Sequence, residues 1–508
     1  MGWGLSRSAR VSGAYAKRLM WVGCVPGFLC ACTVGPDYVK PKVQTPAAYK
    51  ETPQDSTPWK VASPRDATSR GNWWEIFGDS QLNELEAQIN VSNQDLKVAE
   101  SNYRQARALA QQARAGYFPT VTGGAAAQRS RQSANVPART TQTVGPNNDF
   151  LLPLDVSWEV DLWGRVRRSV ESSQASAQAS AGELETVRLS LQAELASDYF
   201  ELRGLDAERR LLEQTLVAYR KALELTQNRY SGGIASQADV ALAETQLKTT
   251  LAQTIELGVQ RAQLEHAIAL LIGKPPSEFT LAVAPYAGAP PAIPVGLPSE
   301  LLERRPDIAS AERQVAAANA QIGVAKAAYY PTVTLAAVFG FESGDFSNWL
   351  SWSSRLWSLG AAGSETIFDG GRRRAVTDQA LAAYDGTVAS YRETVLGAFR
   401  DVEDNLAELR ILAEESQAQD DAVTSSKRSL TLTTNRYVGG AATYLDVVVV
   451  QAVALSNERT SIQISRRRMS ASVRLVKAVG GGWQVSDLPT GQDVLARSSK
   501  PTPAPPPP

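Results

Sequence analysis

The stretch DVSWEVDL, which spans Asp155–Leu162, decides the fold because apolar and polar residues alternate strictly along it. In a β-strand this alternation puts Trp158 and the other apolar side chains on one face, and Glu159 and the other acids on the opposite face. A strand of a soluble sandwich buries its apolar face. A strand of a membrane barrel turns that face to lipid and its polar face to a water-filled lumen.

The period changes after Gly164, where apolar residues begin to recur every seven positions and continue to do so as far as Gly232. One row is broken only by Asp198 and the other only by Arg209. Their apolar members are Leu184, Leu191, Leu205, Leu212 and Tyr219 in the first row, and Leu195, Leu202, Leu216, Leu223 and Tyr230 in the second. Heptads sustained over this length predict a coiled-coil helix, which at 1.5 Å per residue would be on the order of 100 Å long.

The composition argues against several functions. The 508 residues carry a formal net charge of +0, so nothing in the charge favours a nucleic-acid partner. His266 is the only histidine, and its apolar-periodic surroundings predict a packed or helix-surface position. With the cysteines confined to positions 24, 30 and 32, we expect no metal site, no cofactor and no catalytic triad within one chain. A carboxylate-only enzyme is the remaining catalytic alternative, although no acid pair stands out from the heptad charges.

The beginning of the chain has the form of a secretory signal. Basic residues precede an apolar run at 19–31 that is too short to span a membrane comfortably. The run ends LCAC at Leu29–Cys32, which resembles the lipobox of bacterial lipoproteins. We therefore predict a signal peptide at 1–31 and lipidation of Cys32, since two or more acyl chains anchor a protein durably. Thr33 replaces the aspartate that retains many lipoproteins in the inner membrane, which favours the outer membrane. The alternative is ordinary cleavage near Ala31.

The remaining chain divides by composition and period. We expect a lipidated arm at 32–79, a first structural repeat at 80–273, a proline-rich linker at 274–297, a second repeat at 298–480 and a tail at 481–508 that is disordered at its end. The first repeat should contain a helix from about Gln81 to Gly116, a barrel hairpin at about 117–162, the long helix at about 164–230 and a helix from about Ser236 to Ile272. The second repeat should contain a hairpin at about 329–369 and a long helix at about 371–437.

The two repeats are recognised by four motifs that recur at offsets of 207 to 212 residues. The pairs are Tyr117–Thr122 with Tyr329–Thr334, Gly164-Arg165 with Gly371-Arg372, Asn228–Gly233 with Asn435–Gly440, and Asp239-Val240 with Asp446-Val447. Two hairpins supply four strands, and four cannot close a membrane barrel, because open edges are intolerable in lipid. The strands must therefore be pooled between copies. A dimer supplies eight and a trimer twelve, and the arithmetic does not choose between them.

Several motifs together resemble one family. They are Cys32–Tyr38, Trp74–Asp79, the two glycine-ended helix ends, Phe368–Arg372, Leu301–Ile308 with its continuation to Lys326, and Gly480–Trp483. In order, they are similar to the TolC-like outer-membrane efflux proteins, in the lipoprotein (NodT-like) subgroup. The resemblance implies a mainly α fold with a β membrane part, assembled as a homotrimer. Its twelve strands would form an outer-membrane barrel on a periplasmic α-helical coiled-coil barrel.

The resemblance also implies a function and partners. The chain would be the passive, gated outer-membrane duct of a tripartite efflux pump that exports small molecules. A periplasmic adaptor and an inner-membrane resistance-nodulation-division transporter would be its partners, together with outer-membrane lipid. The alternative within the family is the channel of a type I protein secretion system. The rival class is a fibrous adhesin or trimeric stalk, which would not need duplicated hairpins with alternating faces.

The resemblance places the adaptor contacts at two periplasmic helix tips, with Arg229, Tyr230, Gly232, Gly233, Arg436, Tyr437, Gly439 and Gly440 as the contact residues. The simpler alternative is that the glycines only cap helices. Some relatives carry acids in the turns before the second tip, whereas Leu430–Arg436 contains none. We therefore expect a constriction of leucine and threonine, formed by Leu430 and Thr434, in place of an acidic ring.

Overall fold

The computed structural model describes residues 33–51, 72–131, 133, 145–284, 288–293, 295 and 298–496. The signal peptide at 1–31, Cys32 and the end of the tail at 497–508 lie outside these residues. The α-helices are α1 (Ser80–Ser92), α2 (Gln94–Ala115), α3 (Arg165–Ser231), α4 (Gln237–Leu271), α5 (Leu301–Arg304), α6 (Pro306–Ala327), α7 (Arg372–Val438), α8 (Tyr444–Ala478) and α9 (Gly491–Leu495). The strands are β1 (Thr120–Gly123), β2 (Ala126–Ser130), β3 (Asn147–Val160), β4 (Thr332–Ser343) and β5 (Arg355–Ser364). Within the described residues, no helix is both long enough and apolar enough to cross a membrane.

The two long helices, α3 and α7, have 67 residues each, which corresponds to about 100 Å. Most residues of both seven-residue rows of α3 face neighbouring helices, so that Leu195, Leu202 and Leu212 are fully buried, whereas Tyr230 at the tip is exposed. The helices α4 and α8 have 35 residues each and return antiparallel along α3 and α7. Their shorter length leaves the remainder of each long helix to be covered by α2 and α6.

The helix expected from about Gln81 to Gly116 is wrong in one respect, because Asn93 divides it into α1 and α2. Asn93 has an extended backbone, and its side-chain oxygen accepts a hydrogen bond from the N–H of Leu96 at 2.9 Å. Its amide also donates to the carbonyl of Leu271, the last residue of α4, at 2.8 Å. Asparagine caps helices because its side chain replaces a missing backbone partner. Here the cap also fixes where α4 meets α2 end to end.

The second repeat makes the corresponding junction with Arg305, which precedes Pro306 at the first turn of α6. The Arg305 guanidinium donates to the carbonyl of Ala478, the last residue of α8, at 3.1 Å. It also pairs with Asp307 at 2.7 Å and with Asp401 of α7 at 3.4 Å. The motif around Leu301–Ile308 therefore joins three helices.

The largest core lies where α1 and a 3-10 turn at Trp73–Phe77 pack on α3, α6, α7 and α8. Trp73, Tyr199 and Tyr391 are among its fully buried side chains. Asp79, which follows the turn, caps α1 and accepts a hydrogen bond from the Tyr199 hydroxyl at 2.7 Å. The core thus ties both repeats together near the middle of the long helices.

The strands form one antiparallel sheet in the order β1/β2, β3, β4, β5. β1 and β2 share one register against β3, and they are separated where Gly124 faces Pro153. Proline has no N–H, so it cannot complete the ladder at this point. On the other side of Pro153 lies Gly340, where a Cβ atom would be 2.2 Å from the Leu152 carbonyl oxygen. Close backbone approach therefore requires glycine there.

The described part of the arm, residues 33–51, forms no helix or strand and contacts both repeats. The N–H of Val34 donates to the carbonyl of Trp163 at 3.0 Å, and Asp37 pairs with Arg168 of α3 at 2.9 Å. At the other end Glu51 pairs with Arg410 of α7 at 2.8 Å.

The tail contains structure that the sequence analysis did not anticipate. Thr490 and Asp493 form a capping box that opens α9. Val494 of α9 is fully buried against Ala110 of α2 and Ala177 of α3. The tail is therefore ordered as far as Ala496 in the described structure.

Candidate functional site

The first tip joins α3 to α4 in a tight reversal. The N–H of Gly232 donates to the carbonyl of Asn228 at 3.0 Å, that of Gly233 to Tyr230 at 2.9 Å, and that of Ile234 to Arg229 at 2.8 Å. This is the hydrogen-bond pattern of a helix ended by a left-handed glycine. Gly233 has a φ of +75°, whereas Gly232 remains in the right-handed region at −79°.

The second tip repeats the first one. Gly439 has a φ of −77° and Gly440 a φ of +78°. Each pair of glycines therefore contains a single residue whose backbone requires glycine. That residue is the second of the pair, Gly233 or Gly440, whereas Gly232 and Gly439 have a backbone that other residues can adopt.

The returning helices begin with matching capping boxes. Ser236 and Asp239 exchange hydrogen bonds at the start of α4, as do Thr443 and Asp446 at the start of α8. The Thr443 hydroxyl donates to the Asp446 carboxylate at 2.7 Å, which lowers the pKa of Asp446 below its usual value. The recurrence of the dipeptides at Asp239 and Asp446 in the sequence is thus explained by capping.

The two tips of one chain touch each other through an arginine and a tyrosine. The Arg229 guanidinium lies over the Tyr437 ring at 4.6 Å and donates to the Tyr437 carbonyl at 3.4 Å. Tyr437 is buried and stands 5.5 Å from the ring of Tyr444, whose pKa burial raises to about 12. Tyr230 and Arg436, the same residues of the other repeat, are exposed. A cation over an aromatic face is attractive, so Arg229 and Tyr437 hold the two tips together.

Leu430 and Thr434 lie one turn apart on α7, close to the second tip, and both are half-buried. Leu432, between them, is 55% exposed. The constriction that we assign to Leu430 and Thr434 requires copies of the chain around a common axis. It stays a prediction. The lipidation of Cys32 stays a prediction too, because Cys32 lies outside the described residues.

The sheet has one apolar and one polar face. Trp158 is opposite Leu335, and Leu154 is opposite Phe339, in the β3–β4 pairing, so their side chains share a face. The same face continues across β5 with Trp357 and Leu359, which are 70% and 66% exposed. The opposite face carries Asp155, Ser157 and Glu159 on β3 and Thr334 and Ser358 on its neighbours. An exposed apolar band of this size indicates contact with lipid.

Glu159 differs from the other polar-face residues, because it forms an ion pair. Both oxygens of its carboxylate accept hydrogen bonds from Arg165 at the start of α3, at 2.8 and 2.6 Å. This hydrogen bonding raises the pKa of Arg165. Asp161 accepts the N–H groups of Val166 and Arg167 at 3.0 and 2.8 Å. These acids connect the sheet to the long helix, which the alternating pattern alone did not indicate.

A second set of contacts missed by the sequence analysis joins α3 to α8, and we call it the α3–α8 seam. Arg459 pairs with Glu208 at 2.7 Å, and Arg466 pairs with Glu201 at 2.8 Å. Arg466 crosses α3 at Gly204, where a Cβ atom would lie 2.0 Å from its side chain. Two arginines seven residues apart on one helix were the available signal.

Comparison with known proteins identifies the class. The sequence matches the family described as outer membrane efflux protein over residues 86–274 and 297–481, and the chain belongs to this family. The predicted family, its function in efflux and its location in the outer membrane are thereby confirmed.

Individual relatives agree with the family. The chain is 32% identical to the pyoverdine export outer membrane protein OpmQ of Pseudomonas aeruginosa over 446 residues, which cover 87% of this chain and 94% of the relative. It is 31% identical to the toluene efflux pump outer membrane protein TtgF of Pseudomonas putida, over 90% of this chain and 95% of the relative.

Solved structures show the same fold. The outer-membrane channel OprN has a TM-score of 0.82 and 33% identity, over 89% of this chain and 100% of that chain. The open state of the MtrE outer membrane channel of Neisseria gonorrhoeae has a TM-score of 0.78 and 27% identity, over 90% of this chain and 100% of that chain.

Proposed function

We propose that this protein is the outer-membrane exit duct of a tripartite efflux pump and works as a homotrimer. β1 and β2 lie end to end along β3 and count as one barrel strand, so each copy supplies four strands. Three copies would form a twelve-stranded barrel, and their long helices would continue it as a hollow periplasmic cylinder. A resistance-nodulation-division transporter in the inner membrane would supply the energy, and a periplasmic adaptor would engage the tips. The chain itself would carry out no covalent chemistry.

The observation that carries this proposal is the pair of open edges on an apolar sheet. Among the described residues, β1 and β2 pair with β3 alone, and β5 pairs with β4 alone. Each edge therefore presents unpaired backbone groups beside side chains such as Trp357 that suit lipid. Unpaired backbone groups cost several kcal/mol each in lipid, so the edges must be joined. Pairing β5 of one copy with β1 and β2 of the next closes a ring.

The helices also support assembly of several copies, because α7 has a side that no helix in the described part of its own chain covers. In one chain α3 is covered on both sides by α2 and α6 along its first half, whereas α7 is covered by α6 on one side. Val376, Leu381 and Leu396 of α7 are accordingly 43%, 41% and 56% exposed. A neighbouring copy of α2 would cover this side, as α6 covers α3. One open interface per chain, different on its two sides, generates a closed ring.

The class of exported compound follows from the relatives. Their names specify pyoverdine, toluene and solvents, all of which are small molecules. We therefore propose small organic molecules as the cargo of this chain.

Native mass spectrometry of the detergent-extracted protein, combined with conductance in planar bilayers, tests the proposal. The duct requires a trimer that passes ions once the tips are opened. A monomer or dimer, or a trimer that never conducts, contradicts it. The same mass measurement decides the lipidation of Cys32, because an unmodified mass that begins at another residue would exclude it.

The tips can be tested separately as the adaptor-docking surface. Gly440→Val places a β-branched residue at positive φ, so it should distort the tip while leaving a barrel about 100 Å away intact. We expect a normal trimer yield, loss of crosslinking to the adaptor and increased susceptibility to an exported drug. Normal crosslinking together with full efflux would contradict docking at the tips and would mean that the glycines only cap helices.

A further inference from the structure

The internal duplication relates contacts within one chain to contacts between copies. The long helices and the helices that return from their tips are offset by 207 residues, so α3 corresponds to α7 and α4 corresponds to α8. The α3–α8 seam of one chain therefore has a counterpart between α7 and α4. Within one chain α4 and α7 do not pack against each other: α4 packs mainly on α3, and α7 packs on α8 and α6.

The residues at the corresponding positions are exposed and apolar. Gly204 corresponds to Ile411, and Arg466, which crosses it, corresponds to Val259. Both Ile411 and Val259 are 51% exposed. One turn before Val259 on the same face of α4 lies Ile255, which is 67% exposed. The glycine-and-arginine contact of the α3–α8 seam is thus replaced by three aliphatic side chains.

The charges agree with this replacement. The acids of the α3–α8 seam, Glu201 and Glu208, correspond to Glu408 and Glu415 of α7. Glu408 already pairs with Arg474 of its own chain at 2.5 Å, and Glu415 pairs with Arg467 at 3.7 Å. Because both glutamates are already paired, a helix that covers the other side of α7 needs no cation. The α4 residues that correspond to Arg459 and Arg466 are the uncharged Ala252 and Val259.

The tips show the same correspondence between a contact within one chain and a possible contact between copies. Arg229 lies over Tyr437 within the chain at 4.6 Å. The same offset assigns the corresponding contact to Arg436 and Tyr230, and both side chains are exposed in the single chain. Tyr230 is 47% exposed, whereas Tyr437, covered by its arginine, is 6% exposed.

We propose that α7 of one copy packs against α4 of the next copy, with Ile411 between Ile255 and Val259 and with Arg436 over the Tyr230 ring. The seam between copies is apolar along the helices, whereas the α3–α8 seam within each copy is ionic. This inference rests on the proposed homotrimer and specifies which surfaces meet in it.

Cysteine crosslinking of the full-length protein in its membrane tests the seam. Ile411→Cys combined with Val259→Cys should give a disulfide-linked trimer on oxidation, visible on a non-reducing gel and lost on reduction. The matched control combines Ile411→Cys with Gln260→Cys, which is exposed and one residue further along α4. One residue turns the side chain by about 100° on the helix, away from the seam, so this pair should remain unlinked. The native cysteines are common to both proteins.

The outcomes separate the seam from the proposed function. A conducting trimer in which Ile411→Cys and Val259→Cys stay unlinked, or in which the control links equally well, overturns the seam and leaves the function standing. A protein that is never a trimer overturns both. A second pair, Tyr230→Cys with Arg436→Cys, should link copies as well, and failure of that pair alone would remove the tip contact from the inference.

Discussion

A substitution series at Gly439 and Gly440 examines the geometry of the second tip most directly. Gly440 has a φ of +78°, and nothing lies within 4 Å of the position where its Cβ atom would be. Alanine there meets no clash, so its cost is that of the left-handed backbone alone, about 1–2 kcal/mol. Asparagine tolerates this region better than alanine, and valine tolerates it worse. The expected order of tip stability is therefore glycine, asparagine, alanine, valine.

Gly439 provides the control within the same turn. Its φ is −77°, and a Cβ atom there would lie 3.4 Å from the Asn435 carbonyl oxygen, an ordinary contact. Alanine at this position should cost nothing or stabilise the tip by about 0.4–1 kcal/mol, because it restricts the unfolded chain. The two neighbouring glycines are thus expected to respond in opposite directions.

Hydrogen exchange measures the difference. The N–H of Ala441 donates to the carbonyl of Arg436 at 2.8 Å, and this bond closes the turn. A loss of about 1–2 kcal/mol in Gly440→Ala should speed exchange at Ala441 by about 5–30-fold. Gly439→Ala should leave it unchanged or slower. Equal acceleration in both variants, or none at Gly440→Ala, would refute the assignment of positive φ to the second glycine.

Three further outcomes are expected. Trp158→Arg should destabilise the assembled barrel by about 2–4 kcal/mol in a denaturant titration, whereas Ser157→Arg on the polar face should mainly change conductance, and equal effects would reverse the faces. Burial, together with the neighbouring glutamates, raises the pKa of Asp198 to about 6. Asp198→Asn should therefore raise the free energy of unfolding by about 1–2 kcal/mol above pH 6, a value reduced from the full pKa shift because solvent screens this partly exposed carboxylate. The sign follows from the acid losing its proton as the pH rises through 6, so the gain should fade as the pH falls towards 3.8, and a constant gain would contradict it. Gly340→Val should prevent assembly of the sheet, since its side chain would meet the Leu152 carbonyl oxygen 2.2 Å away, and a normal yield in outer membranes would show that β3 and β4 can separate.

The strands and the long helices of this protein could be predicted because each follows from the period at which apolar residues recur in the sequence. Strict alternation around Trp158 gave the strand and its two faces, and heptads from Leu184 onward gave a helix too long for a globular core. Both signals depend on which residues repeat, and a single sequence contains that information. The duplication then supplied the second half of the fold from the first.

The places where prediction failed are those where one side chain decides between two local structures. Asn93 could continue a helix or cap one, and the carbonyl of Leu271, far away in sequence, favours the cap. The two glycines of each tip look identical in the sequence, and only the position of the reversal assigns positive φ to Gly233 and Gly440. Glu159 obeyed the alternation and yet pairs with Arg165, because the strand ends just before the helix. In each case the deciding partner comes from another element.

The arm at residues 33–51 has a mechanical consequence. One end is fastened to α3 through Asp37 and Arg168, and the other to α7 through Glu51 and Arg410. The backbone N–H groups of Lys50 and Glu51 also donate to Glu403 of α7, at 2.8 and 3.1 Å. The 15 residues from Asp37 to Glu51 can span at most roughly 50 Å, so a larger separation of the two fastening points would require one of them to release. The arm therefore acts as a strap that sets an upper limit on how far Arg168 of α3 and Arg410 of α7 can move apart.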